Sequence, residues 1–177
     1  SLNKKDRSFE HQFVHLIQNN AIPDSVFESL QIDSINFAGR KIKLGGSCHW
    51  MGVNNVQCPS YGQMNWSMNK SLVDAATEVN NQYLVIKDKK QGRVVSEESV
   101  DVIFEGTAIK AKKVIYDFKG IRSLMLGMTG GKTLTIYFVA SPVRQHFVSC
   151  VMSFWNNDVI NPSGLPPLLE QVMQVKK

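Results

Sequence analysis

From Arg93 to Trp155 the apolar residues recur at every second position, and this period constrains the chain more than any other feature. Val100, Val102 and Phe104 alternate with polar residues, and Glu105-Gly106 reads as a turn. Ala108 to Tyr116 is a long strand whose lysines face outward. "LMLGM" and "TLTIYFVA" flank the turn "TGGK", "SPVR" is a further turn, and "QHFVSCVMSFW" is the last strand. Short turns between alternating strands imply an antiparallel meander. Its inward set is Val100, Val102, Phe104, Ile136, Phe138, Phe147, Val151 and Phe154, expected to bury against the central or C-terminal helix.

Outside this stretch the period lengthens. Phe9, Phe13, Leu16 and Ile17 follow Ser8 at helical spacing. Ser71 and Asp74 resemble a capping box before Leu72, Ala75, Ala76, Val79, Tyr83 and Ile86, which keep one face of a central helix. "KDKKQG" closes that helix with cations and a glycine. "INFAGRKIKL" reads as two strands around Ala38-Gly39, and "SYGQMNWSM" as another. In the tail, Ser163 is the expected cap. Leu165, Leu168, Leu169, Val172 and Met173 make a helical stripe. If that stripe meets a second copy, the chain is a homodimer.

The expected fold is therefore α+β. An antiparallel meander of about five to seven strands is flanked by three amphipathic helices, an α/β/α sandwich in one domain over 1–177. The element order resembles the PsbP-type sandwiches, with cystatin-type folds as the alternative. Either resemblance concerns architecture and carries no function.

The 177 residues and 43% hydrophobic content suffice for a core without metal or cofactor, and none is expected. No run of eighteen apolar residues occurs, so no membrane-spanning helix is expected. The net charge is +5, but the cations are scattered among acids, which argues against a nucleic-acid groove. The basic pI, the missing start methionine and a bridge between two of the three cysteines lean toward export.

Candidate chemistry concentrates in "GGSCHWMGVNNVQC". "GGSCHWMG" resembles the nucleophile segments of papain-like peptidases and of CHAP-type amidases. That resemblance implies Cys48 as nucleophile, His146 as base and Asn156 or Asn157 to orient the imidazole. The segment departs from the papain pattern in that His49 separates Cys48 from Trp50 and no glutamine precedes it at oxyanion-hole distance. Its two asparagines, two valines, mid-segment glycine and closing proline also suit a hairpin better than the helix such a site needs. For catalysis Cys48 must lie within reach of His146.

A hairpin centred on Val53 gives paired positions a sum of 106 and sets Cys48 opposite Cys58, in range of a disulfide. A turn at Asn54-Asn55 gives a sum of 109 and separates them. A Cys48, His49, Cys58 zinc site lacks the tight knuckle spacing. His11 and His15 lie four apart on a helix but have no third ligand nearby.

"GMTGGKTLT" has the wrong glycine spacing for a phosphate loop and leads into a strand. Asn65 and Asn69 fit glycosylation sequons. Trp50, Tyr61 and Trp66 are the candidate binding residues, although large aromatics more often fill cores. The sequence reads best as a non-catalytic domain that binds a small ligand, a peptide or a partner protein. The cysteine peptidase or amidase is the alternative.

Overall fold

The computed structural model describes residues 11, 12, 14–19, 21, 32–88, 92–118, 131 and 133–176. The chain divides into two compact units, residues 1–30 and 31–177. In the first, residues 11, 12 and 14–18 are helical. The Asn19 side-chain amide lies 2.7 Å from Nδ1 of His15 and bonds the His15 carbonyl at 2.9 Å. Phe9 and Phe13 of the expected stripe, like the "LMLGM" strand and most of "TGGK", lie outside the described residues.

The second unit holds ten strands among its described residues, all paired antiparallel. Strands β1 (Ser34–Phe37) and β2 (Arg40–Lys43) form a separate hairpin. The other eight are β3 (His49–Gly52), β4 (Asn55–Cys58), β5 (Gly62–Asn69), β6 (Gly92–Phe104), β7 (Thr107–Phe118), β8 (Thr133–Val143), β9 (His146–Trp155) and β10 (Met173–Val175). They make one sheet in the order β10-β6-β7-β8-β9-β5-β4-β3. The fold is thus α+β with a large antiparallel sheet, larger than the five to seven strands expected. The excess comes from three short elements, β3, β4 and β10, whose four or three residues are too few to display a period.

Helix α1 (Leu72–Lys87) begins where the sequence signals it: Ser71 is extended, and its hydroxyl accepts from the Asp74 amide at 3.1 Å. Its inner face packs Tyr83, with Val79 and Ile86, onto Val114, Tyr116, Ile136 and Phe138. The opposite face of the sheet carries the larger core. Trp66, Met64, Val102, Phe104, Val148, Cys150 and Met152 meet Phe37 and Ile42 of the β1–β2 hairpin. A bulge between Val94 and Ser96 lets one strand serve both cores: Val94 faces the helix, whereas Val100 and Val102 face the hairpin.

Two expectations need correction. The tail is not a long helix but a single turn, α2 (Pro167–Glu170), followed by β10 on the sheet edge. Its stripe residues Leu165, Leu168, Leu169, Val172 and Met173 are all buried, so the apolar spacing was right and the backbone inferred from it wrong. The second face of the sheet is consequently covered by a hairpin and this turn rather than by a helical layer. Phe147 is also exposed rather than inward. It precedes Val148, which takes the buried position, and burial alternates along β9 from Cys150 onward.

Docking of the tail depends on Gly62. Its φ is +102°, and a Cβ there would sit 2.8 Å from Leu169 Cδ1 and 3.0 Å from Pro166 Cγ. A side chain at position 62 would meet both backbone strain and the docked turn.

Candidate functional site

Trp50 pairs with Val56 and His49 with Gln57, the register whose sum is 106, before a bulge shifts it at Gly52. Cys48 and Cys58 are joined by a disulfide with Cα atoms 4.1 Å apart. The Ile32 amide bonds the Cys48 carbonyl at 2.8 Å, which ties the segment before β1 to this corner.

A cavity of about 160 Å³ opens beside the bridge. Cys58, Leu44 and Leu168 give it an apolar floor, Tyr61 and Pro167 form its walls, and Lys43 and Gln171 stand at its rim. Three short-range constraints hold its shape. The Tyr61 amide bonds the Cys58 carbonyl at 2.9 Å, and the Tyr61 carbonyl accepts from the Leu168 amide at 3.2 Å. The Leu44 amide bonds the Asp33 carbonyl at 2.7 Å. Gly45 and Gly46 complete the lining with no side chain to obstruct it.

A second hollow, of about 280 Å³, lies beside Glu105 and Gln171. Its one cation, Arg40, is already committed. Glu105, 4% exposed, takes ion pairs from Arg40 and from Arg144, the latter at 2.6 Å. Arg144 also donates to the carbonyls of Phe37 and Ala38 at 2.5 and 2.6 Å, and Arg40 donates to the Gln171 carbonyl at 2.7 Å. This triad fastens the hairpin, the β6–β7 turn, the β8–β9 turn and the tail to one another.

The thiol-enzyme arrangement is not assembled. Cys48 is consumed by the disulfide, so it supplies no thiolate. His146 begins β9, whereas Cys58 lies opposite Gly62 and beside the far end of that strand. Eight residues of strand separate the two ends, about 27 Å at the usual rise. Asn156 sits beyond the end of β9 opposite to His146 and accepts from the Thr133 amide at 3.1 Å. The remaining thiol, Cys150, is wholly buried, and burial pushes its pKa far above the usual range. Among the described residues no group of three or more metal-ligating side chains lies together, and no helix is long and apolar enough to cross a membrane.

The three aromatic candidates are split. Tyr61 lines the cavity. Trp66, 2% exposed, is a core residue against Phe37 and Trp50, with ring centroids 5.4 and 6.0 Å away. Its indole N–H is buried and has no hydrogen-bond partner among the described residues. Trp50 is half-buried beside it. Of the two sequons, Asn65 lies within β5 between Asn55 and Val151, and Asn69 bonds Ser149 Oγ at 3.2 Å. Among the described residues it is the strand Thr133–Val143 that follows the "TGGK" segment, where a phosphate loop would lead into a helix. Sequence reasoning missed Lys43, Leu44 and Gln171. Each is unremarkable in its own segment, and only the disulfide and the docked tail bring them to Tyr61.

No protein-family model matches the chain, and no curated protein or solved structure matches it.

Proposed function

We propose that the chain is a non-catalytic binding domain and that the cavity at Tyr61 takes one side chain of a partner protein or peptide. The size of the cavity carries this reading. About 160 Å³ is well under the roughly 300–1,000 Å³ of pockets that enclose a small-molecule ligand, and it suits a single anchoring group. The lining sets the chemistry. Tyr61, Leu44, Leu168 and the disulfide receive an apolar or aromatic group, and Lys43 at the rim favours a carboxylate beside it. The bridge and the basic surface support an exported protein, since disulfides persist in oxidising compartments. The likeness of element order to PsbP-type and cystatin-type folds concerns architecture and adds no activity.

The test is a peptide array of aromatic and aliphatic anchors, each with and without a neighbouring glutamate. Anchors with glutamate should bind best. Tyr61→Ala should weaken them about tenfold, and Lys43→Glu should abolish the preference for glutamate. Binding that ignores both substitutions would overturn the assignment of this cavity.

A further inference from the structure

One lip of the cavity at Tyr61 runs from Lys43, the last residue of β2, through Leu44 to Gly45 and Gly46. Leu44 turns its amide back to the Asp33 carbonyl, at 2.7 Å, on the β1 side. Successive amides of an extended strand point opposite ways. The Lys43 amide is therefore directed away from β1, at the edge of β2 that no strand covers. The amides of Gly45 and Gly46 have no acceptor among the described residues, and a Cβ at either glycine would meet nothing within 4 Å. The Lys43 side chain is exposed and joins no ion pair among the described residues, unlike Arg40 at the other end of the strand. None of the residues around the cavity is acidic.

We propose, resting on the binding role given to this cavity, that it takes the C-terminal residue of its partner. The terminal side chain enters beside Tyr61 and Leu168, and the free carboxylate rests on the Gly45 and Gly46 amides and the Lys43 ammonium. A chain passing straight through would offer this lip one neutral carbonyl per residue and would leave Lys43 without a counter-charge. A terminal carboxylate offers two charged acceptors, one bond from the Cα whose side chain fills the cavity. Hydrogen bonds to a charged acceptor are roughly twice as strong as neutral ones. Free backbone amides in a loop are the donors that capture terminal carboxylates elsewhere. A glutamate beside the anchor is the internal substitute for that carboxylate. It reaches the same donors only by ordering its own rotatable bonds, so it is the weaker ligand. Size agrees with a chain end: about 160 Å³ holds one side chain, and the two glycines leave open space next to it for the carboxylate.

Calorimetric titration of the unreduced full chain with N-acetylated hexapeptides ending in phenylalanine tests this. Three forms are compared: a free C-terminal carboxylate, a C-terminal amide, and the amide with glutamate before the phenylalanine. The free carboxylate should bind about tenfold tighter than the plain amide, with the glutamate form between them. Lys43→Gln should remove most of the advantage of the carboxylate and leave binding of the plain amide unchanged, and Lys43→Arg should keep the advantage. Lys43 is exposed, so neither change endangers the fold. Equal binding of carboxylate and amide, both weakened by Tyr61→Ala, overturns capture of a chain end and leaves the binding role of the cavity standing. A glutamate form that binds as tightly as the free carboxylate also overturns it. Affinities indifferent to Tyr61→Ala, or no binding of any form at millimolar concentration, overturn the role of the cavity and this proposal with it.

Discussion

The two faces of the eight-stranded sheet are covered by different means. The helix face has a small apolar cluster and a polar network beneath it: Glu78 accepts from Ser67, Ser149 and Gln82, and Asn69 bonds Ser149. The hairpin face has an extensive apolar core, closed at one end by the disulfide and at the other by the Arg40–Glu105–Arg144 triad. A helix is fixed by its own hydrogen bonds and needs only a stripe of contact. A two-stranded hairpin is marginal alone and must be fastened by what it touches. The difference teaches where stability resides, and four measurements sharpen or break it.

The largest effect should come from the hairpin core. Phe37 is fully buried edge-on to Trp66 and Phe104. Phe37→Ala should cost about 3–5 kcal/mol in denaturant melts. A loss below about 1 kcal/mol would show that the hairpin is not part of the cooperative core.

Next is the triad. Glu105→Ala leaves two guanidinium groups without their carboxylate. Loss of one partner of a buried pair costs about 3–5 kcal/mol, and partial exposure of both arginines reduces this to about 2–3. Glu105→Ala combined with Arg144→Ala should cost less than the sum of the single changes. Strict additivity would show that the two do not act together.

Reduction of the bridge comes third. Loss of so short a loop should cost about 2–3 kcal/mol in the chain-entropy model. Alkylation of unfolded, unreduced protein should label Cys150 alone. Three labelled thiols would remove the bridge, and with it part of the floor of the candidate cavity.

The smallest effect tests the helix face. Burial is the strongest single influence on Glu78 and raises its pKa, but the hydrogen bonds from Ser149, Ser67 and Gln82, with the Asn69 amide nearby, together outweigh it and hold the carboxyl below its ordinary value of 4.5. A lowered folded-state pKa means the contribution is complete above the unfolded value and is lost as pH falls through the folded one. Glu78→Gln should therefore cost about 1 kcal/mol at neutral pH, with the difference from wild type fading below about pH 4.5. A difference unchanged down to pH 3 would separate Glu78 from the network.

Much of the large sheet was legible because β6 to β9 are long enough for a two-residue period to stand out, and α1 because its cap at Ser71 and the inward Ala75, Val79, Tyr83 and Ile86 agree, although Leu72 and Ala76 of the expected face are exposed and Gly92 opens β6 rather than closing the helix. The tail misled because Leu165, Leu168, Leu169, Val172 and Met173 have helical spacing. A turn followed by an edge strand buries the same residues once Gly62 admits the turn against the sheet. The pairing of Cys48 with Cys58 could be reached from the sequence by counting register, since both lie in one hairpin. The cavity and the triad could not. Lys43, Tyr61 and Gln171, like Arg40, Glu105 and Arg144, are remote in sequence and have no motif. Their meeting is a product of tertiary pairing.

The sheet order also has a consequence for how the chain acquires its shape. β5 finds its neighbour in β9, from Gln63 with Ser153 to Asn69 with Phe147, so its second edge is completed only after the whole of β6 to β8 has been laid down. During synthesis the β3–β5 segment therefore emerges with Met64 and Trp66 bared and one edge open, while β6 and β7 zip locally around Glu105-Gly106. Of the sheet's strands, these are made before their partner β9 and are the ones most in need of shelter. The bridge within this segment spans only ten residues and can close before β9 exists. Pulse-labelled hydrogen exchange during refolding should show β6–β7 amides protected ahead of those of β5. Simultaneous protection would mean that the sheet condenses in a single step.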